Sequence, residues 1–282
     1  MISLITWNIQ CGRGVDGVVD LNRIAQVIVD MGGADIVCLQ EVARHDPDGD
    51  GIGADQVAQL SELFPDHRAV FGAAYDRWGK DGTRSQFGNM ILSRRPILQS
   101  FVHSLPQPPA PGVKHMPRQA TEVVVDMGGF PLRVITTHLE FHSAEQRLAQ
   151  VARLRDLHRE AAANALHPGL NVTGPYAPWP RPTALILCGD FNFAPSDPGY
   201  AQILAPFAHD IPSLADCWPL LHGRAPHPKT CGIFDHAQWP QGAHCRDYVF
   251  LGETLQPLAA QMTVDEATAA SDHQPLRLRL HL

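Results

Sequence analysis

The sequence predicts packed β-sheets with helices on their outer faces, within one domain over residues 1–282. Short apolar runs typical of strands recur along the whole chain, and only a few helical patterns lie between them. Helices and strands do not alternate strictly, as they would in a parallel doubly wound fold. The apolar fraction of 44% is ample for a large core. We therefore expect an α/β protein in which strands outnumber helices.

Apolar runs and helical periodicity predict the elements of the first third of the chain. They are a strand at 2–9, a helix at 21–31, a strand at 35–40, a helix near 54–63, a strand near 67–71 and a strand at 87–93. Gly32 and Gly33 provide a stop signal after the first helix. The stretch 73–86 is polar and rich in glycine, which predicts a loop.

The remaining two thirds of the chain combine further strands with two proline-rich segments. The predicted elements are a hairpin of strands at 119–126 and 131–138, a long helix near 143–166, a strand at 183–189 and a final strand at 276–282. The segments 105–117 and 167–182 contain too many prolines for a helix or a central strand. We expect both to be surface loops, and the first is a candidate for the wall of a substrate cleft.

Composition and charge narrow the class of protein. No run approaches the ~18 apolar residues of a membrane span, and residues 2–7 read as a strand rather than a secretory signal. We expect the six cysteines to be buried, reduced thiols and the protein to be cytoplasmic. The formal net charge of −7 argues against a nonspecific binder of long nucleic acid, which usually carries a basic face. No feature of the sequence indicates a protein partner.

Acidic, amide and histidine side chains adjoin strand-like runs at several points along the chain. They are Asn8, Glu41, His138, Asp190, Asn192, Asp247, Asp272 and His273. If the ends of these strands meet at one rim of the sheets, the side chains converge there. Carboxylates, an amide and two imidazoles at a rim are typical of a hydrolytic site that uses a divalent metal.

The carboxylates and amides suggest two different tasks. Asn8 and Glu41 suit a hard cation such as Mg²⁺, which prefers oxygen ligands and retains several waters. Taken alone, Glu41 is better explained as a solvated charge, and only its partners favour the metal. Asp190 and Asn192 are two residues apart, so in an extended chain they project from the same face. They suit a carboxylate that orients an attacking water and an amide that holds water or phosphate, although an ordinary turn is the alternative.

Two of the 15 histidines, His138 and His273, are candidate imidazoles because each adjoins both a strand and a polar cluster. Asp272 precedes His273, and neighbouring side chains point apart, so Asp272 can face a metal while His273 faces phosphate. A histidine that is charged near neutral pH needs a carboxylate partner, and Asp247 is the candidate for that role.

Asn89 and Arg118 are weaker candidates, for contacts to phosphate oxygens. A turn residue and a solvated charge, respectively, are the alternatives. Zinc is disfavoured in the segment 231–245, because its cysteines and histidines lack a Cys-x-x-Cys pair.

The motifs, in order, closely resemble those of the endonuclease/exonuclease/phosphatase superfamily, which includes deoxyribonuclease I, abasic-site exonucleases, neutral sphingomyelinases, inositol-polyphosphate 5-phosphatases and deadenylases. They are Thr-Trp-Asn-Ile-Gln, Leu-Gln-Glu, Gly-Asn-Met-Ile-Leu-Ser, Thr-His-Leu, Gly-Asp-Phe-Asn, Arg-Asp-Tyr and Ser-Asp-His-Gln-Pro-Leu, within residues 6–276. The resemblance implies a four-layered sandwich, with two mixed β-sheets packed face to face and helices outside. It also implies that Mg²⁺ or Mn²⁺ assists hydrolysis of a phosphoester by an in-line water.

The resemblance also implies a role for each matching position. Glu41 resembles the main metal ligand, with Asn8 beside it and Asp272 as a second metal contact. Asp190 resembles the residue that activates or orients the water, held together with Asn192. His138 and His273 resemble the phosphate-binding pair, and Asp247 matches the carboxylate that pairs with His273.

The subfamily cues conflict and leave the substrate open. The Trp-Cys-Asp-Arg signature of the 5-phosphatases is replaced by Cys-Arg-Asp-Tyr. The run from Thr137 to Arg147 is similar to the tyrosyl-DNA phosphodiesterase branch, whereas Gly-Asn-Met-Ile-Leu-Ser is similar to the sphingomyelinases. A phosphodiesterase acting on a small or lipid-like ester is the leading hypothesis. The alternatives are a repair-type endonuclease or exonuclease acting on a nucleic-acid end, a monoesterase, and a catalytically silent binding module on the same fold.

Overall fold

The computed structural model describes residues 1–46, 53–79, 82–208 and 210–282. Its strands are β1 Ile2–Asn8, β2 Ile36–Arg44, β3 Arg68–Trp78, β4 Arg84–Ser93, β5 Ile97–Ser104, β6 Gln119–Asp126, β7 Pro131–His138, β8 Leu185–Asp190, β9 Leu214–Asp216, β10 Asp247–Gly252, β11 Ala259–Val264 and β12 Leu276–Leu280. Its helices are α1 Leu21–Asp30, α2 Gln56–Leu63, α3 Ala144–Leu166, α4 Pro198–Leu204 and α5 Cys217–His222.

The strands form two six-stranded mixed sheets. The first has the order β11-β12-β1-β2-β4-β3, and the second has the order β5-β6-β7-β8-β10-β9. Each sheet contains one parallel pair, β1 with β2 and β7 with β8, and the remaining pairs are antiparallel. The parallel pairs require long crossovers, which α1 and α3 provide.

Three apolar cores hold the layers together. Leu4, Ile36, Val134 and Ile186 belong to the core between the sheets. A second core packs α1 and α2 on the outer face of the first sheet, and a third packs α3 and α4 on the outer face of the second. The order of layers is therefore helix, sheet, sheet, helix, as the resemblance implies. All six cysteines are buried and reduced, as expected.

The predicted loop over 73–86 is wrong, because β3 and β4 occupy most of this stretch. Tyr75 lies opposite Phe87 across the two strands, and the Asp76 side chain on β3 forms an ion pair with Arg84 on β4. β3 is the edge strand of its sheet and is largely exposed towards its end. An edge strand with both faces wet lacks the alternation of apolar and polar residues that sequence analysis relies on.

The two proline-rich segments are irregular, as predicted, apart from a short 3-10 turn at Gly174–Tyr176. The strands β5, β9 and β11 and the short helices α4 and α5 have no counterpart in the sequence prediction. Among the residues that the structure describes, no helix has the length and apolar character needed to cross a membrane.

Candidate active site

The candidate site lies where the parallel pairs of the two sheets meet at their carboxyl ends. Asn8 ends β1, beside Gln40 of β2. His138 ends β7, directly beside Asp190 at the end of β8. The Gln40 side chain ties the sheets together below the site, because its Nε2 donates to Thr136 Oγ1 across the interface at 2.7 Å. The two crossovers therefore bring distant parts of the sequence to one rim.

A β-bulge points Glu41 towards this rim. Between Leu39 and Val42, β2 carries one more residue than the facing part of β4. Glu41 has a φ of +58°, in the left-handed region that non-glycine residues seldom adopt. The backbones are crowded here, since a Cβ on Gly88 of β4 would lie 1.8 Å from the Gly72 carbonyl oxygen. Bulges of this kind commonly re-aim a functional side chain.

Asp190 lies at the centre of the site and is almost fully buried, with 1% exposure. Its Oδ1 accepts a hydrogen bond from the Asn192 backbone N–H at 2.9 Å, and its Oδ2 accepts one from Asn8 Nδ2 at 3.0 Å. The Nε2 atoms of His138 and His273 lie 3.4 Å and 3.7 Å from Oδ2. Burial raises the pKa of Asp190. The ionised form of Asp190 is therefore stabilised by a nearby proton donor or cation.

His273 is held by Asp247 in the manner predicted. Its Nδ1 lies 2.8 Å from Asp247 Oδ2, and both residues are buried. Burial disfavours the imidazolium, but Asp247, Asp272 and Asp190 together raise the pKa of His273 well above its ordinary value. His273 is therefore positively charged at neutral pH, and its Nε2 lies 3.7 Å from Asp190 Oδ2, beyond hydrogen-bond distance.

His138 is neutral at the same pH, so the two imidazoles differ in charge. Burial, followed by the nearby Arg118 and His273, lowers the pKa of His138 well below its ordinary value. Its Nδ1 lies 3.7 Å from Glu41 Oε1 and has no hydrogen-bond partner among the described residues. A neutral imidazole and an imidazolium flank the same carboxylate, which sequence reasoning did not distinguish.

Glu41 and Asp272 supply the carboxylates on the other side of the site. Burial, followed by repulsion from Asp272, raises the pKa of Glu41 to about 7. Asp272 Oδ2 accepts hydrogen bonds from Trp239 Nε1 at 3.1 Å and from Gln238 Nε2 at 3.0 Å. Two acidic groups that repel each other at a rim are a suitable place for a cation. Their hard oxygen donors match the preference of Mg²⁺ and Mn²⁺.

Asn8 is not oriented as an oxygen ligand. Its Nδ2 donates to Glu41 Oε1 at 3.0 Å and to Asp190. Its Oδ1 accepts from the Gln10 backbone N–H at 3.1 Å, in the turn that follows β1. The amide therefore spaces and orients two carboxylates.

A second group of side chains also has metal-binding potential. One ligand atom from each of Asp190, Asp247 and His273 lies within 4.8 Å of the others. A cation at this point would compete with the proton shared by His273 and Asp247. Since that proton is held strongly by its charged neighbours, Glu41 and Asp272 are the better candidates for the metal.

The site opens into a cleft with two lobes. The catalytic lobe, of about 410 Å³, is lined by Asp190, Asn192, Asp272, His273 and by side chains that the sequence did not indicate. The unpredicted ones are Lys114, Phe141, His142, Gln238 and Trp239. Lys114 lies in the segment 105–117, so the expectation that this loop lines the cleft is confirmed. Gln238 and Trp239 lie in a segment without regular structure or a recognisable motif.

The second lobe, of about 320 Å³, contains the stacked rings of Tyr75 and Phe87 and is here named the aromatic lobe. It is lined by Cys11, Tyr75, Arg77, Phe87 and Met116. Glu41, Arg118 and His138 line both lobes and form the boundary between them.

The two weaker candidates have different outcomes. Arg118 is 7% exposed and its Nε donates to Glu140 Oε2 at 3.3 Å, so it is a buried cation at the cleft rather than a solvated charge. Asn89 is buried between the sheets, where its Nδ2 lies 3.4 Å from the Gln119 carbonyl oxygen. Contact from Asn89 to phosphate stays a prediction; in this structure its amide contacts the other sheet, and Asn89 lines neither lobe of the cleft.

Asn192 lines the catalytic lobe with a φ of +52°, again in the left-handed region. Its Nδ2 donates to the Leu139 carbonyl oxygen at 2.9 Å, which fixes its side chain beside Asp190.

Comparisons with known proteins agree with this arrangement. The sequence profile of the "Endonuclease/Exonuclease/phosphatase family" matches residues 5–273. No protein of curated function matches the chain by sequence. Among solved structures, an endonuclease/exonuclease/phosphatase from Beutenbergia cavernae DSM 12333 is 26% identical and aligns with 99% of this chain and 71% of its own, with a TM-score of 0.68.

Two more distant structures show the same fold. A mannosyl-6-phosphatase from Bacteroides thetaiotaomicron is 16% identical and covers 100% of both chains, with a TM-score of 0.66. A 3′ phosphatase from Neisseria, bound to a product DNA hairpin, is 18% identical and also covers 100% of both chains, with a TM-score of 0.64. At these identities the likeness concerns the fold alone.

Proposed function

The chain belongs to the endonuclease/exonuclease/phosphatase family, and on that premise we propose that it hydrolyses phosphoesters with the help of a divalent cation. One observation carries the proposal. A buried carboxylate, Asp190, lies within 4 Å of one neutral and one charged imidazole, at a cleft that also contains the carboxylates Glu41 and Asp272. This combination provides a proton acceptor, a phosphate-binding cation and a metal site within one cleft.

The cation would be held by Glu41 and Asp272, with Asn8 fixing the position of Glu41. Mg²⁺ and Mn²⁺ both suit these oxygen donors. When bound, the cation supplies Lewis-acid stabilisation of the charge on the transferring phosphoryl group. It also offsets the repulsion that raises the pKa of Glu41.

The phosphoryl group is bound by the positive side chains of the cleft. His273 carries its proton on Nε2 while Asp247 holds Nδ1, so its charged N–H is available to a phosphoryl oxygen. The guanidinium of Arg118 lies at the boundary between the lobes and offers a second set of donors. Fixed donors in a partly buried cleft stabilise developing negative charge more effectively than water does.

Asp190 is the residue that accepts a proton from the attacking water. Its raised pKa makes it a better base than an exposed aspartate. Asn192 holds the carboxylate through its backbone N–H and lines the lobe in which the water would lie. Neutral His138, on the other side of Asp190, can accept a hydrogen bond without adding charge.

Several observations favour a phosphodiester of modest size. The two lobes meet at Glu41, Arg118 and His138, which leaves room for a substituent on each side of a phosphorus atom. The net charge of −7 disfavours a long nucleic acid. The localisation expected for the enzyme is cytoplasmic.

Hydrolysis of bis(4-nitrophenyl) phosphate and of 4-nitrophenyl phosphate tests the proposal. Each ester is supplied to the purified chain with Mg²⁺, with Mn²⁺ and with a chelator. We expect metal-dependent release of nitrophenol, faster from the diester. Faster release from the monoester would make the protein a phosphatase. Equal rates with metal and with chelator would contradict the metal mechanism.

A nucleic-acid end is the alternative substrate, since Arg77, Lys114 and Arg118 line the two lobes. It can be tested with a single-stranded oligonucleotide at increasing salt concentration. A steep fall in activity would indicate that several phosphates are contacted and counterions released. Activity that is insensitive to salt would support the small ester.

A further inference from the structure

The aromatic lobe contains an ordered group of side chains that has no role in the hydrolysis proposed above. Tyr75 and Phe87 face the lobe from neighbouring strands, with ring centroids 5.7 Å apart and ring planes within 12° of parallel. The guanidinium of Arg77 lies over the Tyr75 ring at 4.5 Å from its centroid. The two rings, together with the sulfur-bearing side chains of Cys11 and Met116, form an apolar wall that the Arg77 guanidinium partly covers.

Tyr75 is held in this position from behind. Its hydroxyl donates to the carboxylate of Asp46, which is only 1% exposed. Arg77 Nη2 lies 3.5 Å from the other oxygen of the same carboxylate. A second bulge in β3, between Ala73 and Tyr75, sets the ring opposite Phe87. The wall is therefore built into the sheet and does not depend on a ligand for its shape.

The position of the wall relates it to one side of the reaction. In-line attack at phosphorus places the water and the leaving group on opposite sides. Among the residues that the structure describes, Asp190 and Asn192 line the catalytic lobe but not the aromatic lobe. Because Glu41 lines both lobes, a leaving group on the side of phosphorus away from Asp190 would enter the aromatic lobe.

We propose that the aromatic lobe binds the leaving group and selects esters whose leaving group carries a planar ring. This inference rests on the proposed function, and it adds a substrate class to it. Stacking on Phe87, together with contact to the Arg77 guanidinium that covers the Tyr75 ring, rewards a flat ring more than a puckered one of similar size.

A pair of matched substrates tests the inference. Methyl benzyl phosphate and methyl cyclohexylmethyl phosphate both release a primary alcohol, and they differ in whether the ring is flat. The cyclohexyl ring is the more hydrophobic of the two, so burial of apolar area alone would favour it. The measured quantity is the ratio of kcat/KM for the two esters, from the alcohol released in the presence of Mg²⁺.

The informative variant is Phe87→Leu, which keeps an apolar side chain on β4 and removes the flat face. We expect the wild-type protein to prefer the benzyl ester, and the variant to lose about twofold to tenfold of that ratio. Any intrinsic difference in alcohol reactivity is common to both proteins and cancels in the comparison. Phe141→Leu is the matched control, because Phe141 lines the catalytic lobe instead. It should leave the ratio unchanged even if it lowers both rates.

A binding measurement separates failure of the subsite from failure of the enzyme. Benzylphosphonate and cyclohexylmethylphosphonate are not hydrolysed, and their affinities can be compared by calorimetry with Mg²⁺ present. Tighter binding of benzylphosphonate, reduced by Phe87→Leu alone, supports the subsite even if no ester is turned over. Turnover of both esters at a ratio that Phe87→Leu does not change would overturn the subsite and leave the hydrolase intact.

Discussion

The protein buries carboxylates in two places and surrounds them in opposite ways. On the second sheet, Glu122 is fully buried, with its oxygens within about 3 Å of Arg133, Arg181 and His103. Although burial opposes it, His103, Arg181 and Arg133 hold the pKa of Glu122 well below its usual range. Two guanidinium groups contact this single carboxylate, so its negative charge is more than balanced. It joins β5, β6, β7 and the segment 167–182, and it has a structural role.

The carboxylates of the candidate site have too few positive partners. Glu41, Asp190 and Asp272 line one lobe, and Asp247 lies behind it against His273. Burial raises the pKa of both Glu41 and Asp190. His273 neutralises part of this charge. The remaining negative charge is the basis for the divalent-cation site that we propose. The number of buried carboxylates therefore does not show whether a cluster is structural or functional. The ratio of positive partners to carboxylates is more informative.

The largest expected effect follows from replacing the central base. Asp190 accepts hydrogen bonds from Asn192 and Asn8 on separate oxygens, and the single amide oxygen of Asp190→Asn can keep only one of them. The variant also lacks the proton acceptor, so kcat should fall by about a thousandfold. Stability should change little, because one buried hydrogen bond is lost together with a charge that burial disfavours. Steady-state rates and urea denaturation measure the two properties. Asp66→Asn, at an exposed position, is the control. A rate within about tenfold of wild type would remove Asp190 from the mechanism.

The opposite result is expected for the structural cluster. Glu122→Gln leaves the fully buried Arg133 without its acid, which should cost about 3–5 kcal/mol of unfolding free energy. The activity of the folded fraction should change little. Urea denaturation at neutral pH measures the loss, with exposed Glu62→Gln as the control. A loss no larger than that of the control would mean that the Glu122 cluster is not a structural ion pair.

A third buried group, His158 on α3, allows a test of how the burial of a titratable side chain makes the unfolding free energy depend on pH. Burial lowers its pKa from 6.5 to about 4, and its Nε2 contacts the Pro212 carbonyl oxygen at 2.9 Å. Because the folded-state pKa is depressed, the unfolded chain binds the proton first as the pH falls. Stability is therefore complete above the unfolded pKa of 6.5 and is lost progressively down to about 4.

Between about pH 7 and about pH 5, His158 alone should remove about 2 kcal/mol of unfolding free energy. The His158→Gln variant does not titrate in this range and can still donate to Pro212. Its unfolding free energy should fall less over the same interval. Parallel pH profiles for the two proteins would show that other groups govern the acid sensitivity.

A smaller effect is expected at the metal site. Glu41→Gln removes one charged oxygen donor and should raise the Mg²⁺ concentration for half-maximal activity by at least about tenfold. Titration of activity with Mg²⁺ at saturating ester measures the change. An unaltered requirement would place the cation at another group, with Asp190, Asp247 and His273 the first to examine.

The sequence predicted the position of a site residue correctly where that residue lies at the end of a regular strand. Asp190 and His138 are adjacent because β7 and β8 are parallel and in register, and apolar runs predicted both strands. The pairing of His273 with Asp247 likewise follows from motifs at the two ends of well-defined strands. The four layers were implied by the order of the motifs.

The remaining features depend on tertiary contacts that no local pattern encodes. The left-handed backbone at Glu41 arises from a bulge against β4, and glutamate gives no local signal for it. The different charge states of His138 (neutral) and His273 (positive) depend on which groups surround each ring. The aromatic lobe was missed because Tyr75 lies on an exposed edge strand, where alternation is weak.

We propose that a divalent cation binds where the cleft has excess negative charge. The most direct test is the stability of the protein in the presence of Mg²⁺. The unfolding free energy of the wild-type protein should rise with Mg²⁺, by about 2.7 kcal/mol at a hundredfold excess over the dissociation constant. Sodium chloride of the same ionic strength should have little effect, and Glu41→Gln should show a much smaller rise. The account would be contradicted by a wild-type protein that Mg²⁺ does not stabilise, or by an equal rise in the Glu41→Gln variant.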